Sequence, residues 1–506
     1  MKYIIGVDVG TQSLRSGVLS QEGEFLFVAS REYSPDFGEG NRAEQRTESW
    51  REALFETLEE VGVYLAWNPK IEPECIAVTS QRASVIPVDR DGEPLYPALM
   101  WQDKRATREC DEIAAKIAPE ELYRQCGLRL DPYFSLPKML WLKNNRPDIW
   151  QKACKLIGVQ DYIALLLTGR YVTDRSQACR TMLLDINSLD WNAALLDMFG
   201  IDKNMLCELI EPGAAAGALC ESTAKRTALH AGLPVLLCGG DQQCAALALG
   251  LFEPGDATAN TGTGSFVLGY TDRPAFDEKQ RVLCSAAAIP GERIVEAGIY
   301  ASGATYNWCR RQFFGESGAE DVDFEKLNAE AASSPPGANG AVALPHFSGS
   351  AAPYWNPLAK GLFFNLGLGT TRGDLCRAVL EGIAGEISDN LALISRNARP
   401  VERLYVAGGL TRSPLYCQIM ADSARVKVVR RSNVEAALLG CLMSACVTLG
   451  VYKSYREAFE AIAPKQSQTF EPDEGASLVY DHARELRRQL YAALDRDGVY
   501  TLAQRG

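Results

Sequence analysis

The chain opens with a short apolar run, YIIGVDVGT, that stops at Gly10–Thr11. SLRSGVLS and EFLFVASREY follow, with QEG between them. Short runs rich in β-branched and aromatic residues, punctuated by turn residues, predict a strand followed by a hairpin. TESWREALFETLEEVGVYL then places Trp50, Leu54, Leu58 and Val61 at helical spacing, which predicts an amphipathic helix. CIAVTS reads as a buried strand, and VIPVDRDGEPL as a hairpin turning at Asp91–Gly92. Strands alternating with helices predict an α/β protein. Further on, the apolar LPVLLC runs into GGDQQ and then into an alanine-rich helical pattern. Asp241 sits at that junction, where an acid can be a helix cap, a metal ligand or a catalytic base.

Near residue 256 the pattern restarts. DATANTGTGSFVLGYTD is again an extended run broken by a Gly-Thr turn, about half a chain beyond Gly10–Thr11. The repetition predicts two similar domains, each opening with a hairpin that offers backbone N–H and hydroxyl groups to a shared cleft. A loop, SSPPGANG, leads to a long helical run, DLCRAVLEGIAGEISDNLALI. A strand ending in a tight turn, RLYVAGGLTRS, and a helical run, EAALLGCLMSACVTLG, come next. RVKVVRR alternates valines with basic residues and reads as a strand with one wet face. Residues beyond about 452 read as peripheral helices.

Bulk composition narrows the function. A chain of 506 residues is too long for one core, and ~150 residues per domain predicts two to four. The net charge is −12, which argues against nucleic acid or an anionic membrane surface as partner. The 15 scattered cysteines form no CxxC pair, a usage that fits free thiols in the cytoplasm. No stretch approaches the ~18 apolar residues of a membrane span. The three histidines, His230, His346 and His482, stand in no nucleophile or zinc setting and read as surface or packing residues.

Three glycine-rich turns follow β-like runs: DVGTQS at Asp8–Ser13, NTGTGS at Asn260–Ser265 and AGGLTRS at Ala407–Ser413. Glycine lets a backbone approach a phosphate, and adjacent N–H and hydroxyl groups can cradle its oxygens. Neither GxxxxGK[ST] nor an N-terminal GxGxxG occurs, so a P-loop or a dinucleotide site of the usual kind is unsupported. In this order the turns resemble the two phosphate loops and the adenosine loop of the actin/hexokinase superfamily. Within it, the chain resembles the FGGY carbohydrate kinases. YFSLPKMLWLKNN (Tyr133–Asn145) fits the first family signature. GLFFNLGLGTTRGDLCRAVLE (Gly361–Glu381) fits the second, except that Asn365 stands where glycine is usual. TSQR, WQDKR, RTMLLDINSLDW, GGDQQCAAL and GSAAPYWNPLAKG are similar to the glycerol kinase branch. The resemblance covers residues 1 to about 450.

The resemblance implies a two-domain, actin/hexokinase-like (ribonuclease H-like) α/β fold with ATP and Mg²⁺ in the interdomain cleft. It divides the chain at 1–250, 251–452 and 453–506. The activity implied is transfer of the ATP γ-phosphoryl group to a hydroxyl of a small sugar or polyol. Asp241 becomes the expected base, because a carboxylate can take the proton of an attacking alcohol. Burial raises its pKa and the helix N-terminus lowers it, a balance left open at this point. Asp8, with Asp241, is implied at the metal. Thr11, Gln12, Ser13 and Arg15 resemble the first phosphate loop, and Thr261, Gly262, Thr263 and Gly264 the second. Gly303, Gly408, Gly409 and Ser413 complete the nucleotide side. Arg82, Trp101, Tyr133, Asp241 and Gln242 match acceptor-contacting positions. Glycerol kinases carry Glu directly after the Arg of QR, where this chain has Ala83. A glycerol hydroxyl loses its partner there, so a tetritol, pentitol or ketopentose is the favoured acceptor, with glycerol as the alternative. A cleft of this kind is expected to close on its substrate and to hydrolyse ATP slowly without it. Dimers are common in the family, although no interface signal is visible. An actin-like ATPase without an acceptor site is the alternative from another class.

Overall fold

A computed structural model describes residues 2–314, 324–431 and 435–503. Its first half is built on a six-stranded sheet of β1 (Tyr3–Val9), β2 (Ser13–Ser20), β3 (Phe25–Glu32), β4 (Pro73–Ser80), β5 (Ala215–Ala218) and β6 (Pro234–Gly240). The spatial order is β5-β6-β4-β1-β2-β3. β1 pairs antiparallel with β2 and parallel with β4, and β4 pairs parallel with β6. The second half carries seven strands: β7 (Asp256–Thr261), β8 (Ser265–Thr271), β9 (Leu283–Ala286), β10 (Arg293–Ile299), β11 (Arg403–Ala407), β12 (Lys427–Arg431) and β13 (Ser467–Phe470). Their order is β9-β10-β8-β7-β11-β12-β13. The repeat predicted from the two Gly-Thr turns is thus a repeat of topology. In each half an antiparallel hairpin is followed by parallel strands and closed by one antiparallel edge.

Both faces of the first sheet are covered, which explains the near-continuous apolar runs. Ile5, Val7, Val9, Ile76 and Val78 point into one core with Trp50, Leu54 and Leu58 of α1 (Thr47–Trp67). Ile4, Cys75 and Ala77 point the other way, onto α2 (Asp241–Leu249) and α4 (Ala436–Thr448). The second sheet rests on α3 (Arg372–Asn397), whose Val379, Ile383, Ile387 and Ile394 meet Ala257, Val267 and Val406.

Two sequence expectations need correction. RVKVVRR is not a strand with one wet face: Arg425 is a left-handed helix cap, and both Val428 and Val429 are buried. The strand is flanked by β11 and β13, so alternation says little about it. Residues beyond 452 are not only peripheral helices. They supply β13 to the second sheet, and Tyr480, Arg487 and Tyr491 of the helix Glu474–Arg496 are buried. Among the described residues, no helix is long and apolar enough to cross a membrane.

α2 is wedged between the halves. Its Cys244 and Leu247 join the first core, and its Ala246 packs with Leu268 and Ile294 of the second sheet. α4 crosses it backbone to backbone: a Cβ at Gly440 would fall 1.9 Å from the Cys244 carbonyl oxygen. Gly440→Ala is therefore expected to destabilise the protein by about 1–3 kcal/mol through overpacking. Denaturant unfolding checks this, and unchanged stability contradicts the close crossing.

Candidate active site

The strand-to-helix junction that holds Asp241 is fixed by buried polar groups. Gly239 is left-handed, with φ +112°. Its carbonyl accepts from Thr79 Oγ1 at 2.8 Å and from Gln160 Nε2 at 3.1 Å. Gly240 N donates to Ser176 Oγ at 2.9 Å. A Cβ at Gly240 would strike Arg82 Cδ at 2.5 Å, so glycine is what lets the arginine lie against the turn. Gly240, not Asp241, occupies the N-cap position, which removes the cap as the explanation of Asp241.

Asp241 projects from the first turn with its side chain 26% exposed. Oδ1 accepts the Gln242 N–H at 2.7 Å and lies 3.8 Å from Arg82 Nε. Burial raises its pKa above the usual carboxylate range, and it outweighs Arg82 and the Gln242 N–H, which pull the other way. Asp8, on β1, has its carboxyl pushed up to about 7, chiefly by burial and then by the charge of Asp241, with Arg15 opposing. Its Oδ1 is buried without a hydrogen-bond partner in the protein.

Each of the predicted loops is held by its own short-range contacts. Arg15 stands beside Asp8 in the β1–β2 register and pairs with Glu435 of the second half. Gly10 N donates to Ser13 O at 2.9 Å, closing the first turn, and Tyr33 N donates to Gln12 O at 2.9 Å. In the second turn, Gly303 N donates to Gly262 O at 3.0 Å, and Ser302 N and Ala304 N donate to Thr263 O at 2.9 and 3.1 Å. Gly262 and Thr263 are exposed and Gly264 is half-buried. Gly408 lies on Thr261, whose Oγ1 donates to Ala407 O at 3.1 Å, while Gly409 faces open space. Ser413 is buried at the start of the next helix, its Oγ without a partner in the protein.

On the acceptor side, Trp101 Nε1 donates to Thr11 Oγ1 at 3.1 Å, and the Trp101 and Tyr133 rings lie 5.6 Å apart. Trp101, expected at the acceptor, and Thr11, expected at the first phosphate loop, are therefore one hydrogen bond apart. Gln242 is half-buried beside Asp241. Sequence reasoning missed three participants. Lys138, within the first signature, is wholly buried and donates to the carbonyls of Tyr133, Phe134 and Ala83, the last at 3.4 Å. Burial lowers its pKa to about 7. Arg180 lies 5.7 Å from the Tyr133 ring, and Glu296 of β10 pairs with both Arg82 and Arg180. A lysine inside the apolar SLPKMLW and one acid inside RIVEAGI are the signals that point to them.

An orphaned buried acid, a second acid whose charge acts on it and exposed glycine backbones suit a nucleotide with a divalent cation. Among the described residues no three His, Cys, Asp or Glu side chains cluster as a metal cage. Mg²⁺ takes one or two carboxylates and completes its shell with phosphate oxygens and water, a need that two acids such as Asp8 and Asp241 can meet.

The chain belongs to the FGGY family of carbohydrate kinases: the family's N-terminal domain matches residues 3–248 and its C-terminal domain residues 257–449. A xylulose kinase from Lactococcus lactis subsp. lactis is 28% identical over 493 residues, covering 97% of each chain. A glycerol kinase from Thermococcus gammatolerans is 32% identical over 503 residues, covering 97% of this chain and 96% of its own. The structure of a xylulose kinase from Rhodospirillum rubrum superposes with a TM-score of 0.91 at 27% identity, covering 98% of this chain and 99% of that one. The protein is an ATP- and Mg²⁺-dependent phosphotransferase acting on a hydroxyl of a sugar or polyol.

Proposed function

We propose that the acceptor is larger than glycerol, a tetritol, pentitol or ketopentose. The observation that carries this reading is Ala83. It follows Arg82 in a left-handed conformation, with φ +66°, and presents a methyl group where glycerol kinases present a carboxylate. A glycerol hydroxyl directed there finds no acceptor, and an unpaired hydroxyl in a closed site loses binding energy. Ala83 and Ser84 also line a cavity of about 30 Å³ with Ser135, Gln177 and Thr181.

In this reading residues 1–250 carry the acceptor pocket, the first phosphate loop and the base, and residues 251–452 the second phosphate loop and the adenosine turn. Trp101 and Tyr133 face the C–H side of the acceptor, and Arg82 and Gln242 bond its hydroxyls. Asp241 accepts the proton of the attacking primary hydroxyl on its carboxylate, helped by a pKa that burial raises. Asp8 and Asp241 would hold Mg²⁺, which when bound offsets phosphate charge. Arg15 and the turns at Thr11–Ser13 and Thr261–Gly264 orient the phosphates, and Gly303, Gly408, Gly409 and Ser413 shape the nucleotide seat. Closure of the two halves on the acceptor would exclude water.

Steady-state ADP release with glycerol, erythritol, ribitol, xylitol and D-xylulose tests the acceptor. The expected order places a four- or five-carbon acceptor at least about tenfold above glycerol in kcat/KM, the scale of one lost hydrogen bond in a site built for it. A best kcat/KM on glycerol refutes the reading.

A further inference from the structure

Glu296 is a buried acid that the transfer chemistry above does not use. It lies on β10 in the second half with its side chain 5% exposed, yet both its ion-pair partners belong to the first half. Arg82 Nη1 donates to its two oxygens at 3.1 and 3.2 Å, and Arg180 Nη1 donates to Oε1 at 3.0 Å. Arg180 also donates to Ser285 Oγ on β9 at 2.8 Å, and its guanidinium lies 5.0 Å from the Phe134 ring. Two arginines and two acids, Arg82, Arg180, Glu296 and Asp241, thus form one charge-balanced group reaching from the sheet of the second half to the acceptor pocket. Buried charges demand partners. Deprived of Glu296, Arg82 has Asp241 as its remaining anion nearby and closes on it, taking the lone pairs that an acceptor hydroxyl needs.

We propose that Glu296 is a positioning residue for acceptor recognition, delivered from the second half, that holds Arg82 off Asp241 and Arg180 beside Tyr133. The polyol pocket is then complete only with both halves in place. The proposal rests on the reading of Arg82 as an acceptor contact.

The test is steady-state kinetics of Glu296→Gln and Glu296→Asp, with erythritol, ribitol, D-xylulose and glycerol each varied in turn at saturating ATP, and ATP varied at a saturating acceptor. Glu296→Gln is expected to raise acceptor KM by about tenfold or more and to leave ATP KM within about twofold. Glu296→Asp, which keeps the charge but withdraws it by one methylene, gives a smaller rise. Because Glu296 acts through Arg82, the double variant Arg82→Lys/Glu296→Gln loses scarcely more than Arg82→Lys alone. An acid with a merely structural role would lower the melting temperature and kcat, leave acceptor KM unchanged and give additive losses, and that pattern overturns the proposal. Should Glu296→Gln fail to fold, a folded Glu296→Asp with wild-type acceptor KM overturns it equally. Arg82→Lys separates the two readings. If it leaves acceptor KM unchanged, Arg82 is not a contact and both readings fall. If it raises KM while the Glu296 variants do not, the Glu296 proposal alone falls.

Discussion

Asp241→Asn is expected to leave a folded, nucleotide-binding protein whose kcat is about 10³-fold lower, within the range that general bases contribute. The amide keeps the shape of the side chain and can still accept the Gln242 N–H that Asp241 receives at 2.7 Å. What it loses is a carboxylate able to take the alcohol's proton. Folding should not suffer, since Gly240 rather than Asp241 occupies the cap position, and Arg82 keeps Glu296 as its ion-pair partner. Coupled ADP release gives kcat, and a thermal melt with direct nucleotide binding separates lost chemistry from lost structure. Turnover near that of the wild type would remove Asp241 from the role of base.

The second large effect is expected at the adenosine turn. Gly408 has φ +101°, and a Cβ there would lie 2.4, 2.6 and 2.9 Å from the oxygen, carbon and nitrogen of Thr261. All three are backbone atoms, so no rotamer change relieves the clash, and the left-handed φ adds strain. Gly408→Ala must push the adenosine turn away from the strand that leads into the second phosphate loop. A displacement near 1 Å can cost about 10²-fold when groups must be aligned for reaction. ATP KM should rise by about that factor, while the acceptor residues Arg82, Trp101 and Tyr133, all on the first half, keep their places. Nucleotide titration and acceptor KM together check this. A normal ATP KM would mean that the turn does not seat the nucleotide.

The strands and their hairpins were legible because each is a short apolar run closed by glycine or a polar turn, as in YIIGVDVGT and DATANTGTGSF. The turns proposed for the nucleotide stand out in the sequence because their glycines and hydroxyls sit in consecutive residues. The proposed acceptor residues Arg82, Trp101, Tyr133 and Asp241 come from four separated segments, so only motif resemblance points to them. Glu296 was not legible. One acid in RIVEAGI has no local meaning until the sheet of the second half places it against Arg82 and Arg180. Lys138 is similar: its role depends on three carbonyls that converge only in the fold. Whether burial or the helix N-terminus dominates at Asp241 depends on how α2 is wedged between the halves, which periodicity does not encode.

The central claim is a phosphotransferase whose acceptor pocket, shaped by Ala83, prefers more than three carbons. A one-pot competition addresses it most directly. Equimolar glycerol, erythritol, ribitol, xylitol and D-xylulose are supplied with limiting ATP and Mg²⁺, and the phosphorylated products are read by mass and by ³¹P NMR. Competing substrates divide in the ratio of their kcat/KM values. A four- or five-carbon phosphate should dominate, formed in step with ADP. Dominant glycerol phosphate, or inorganic phosphate released whichever acceptor is present, would contradict the account.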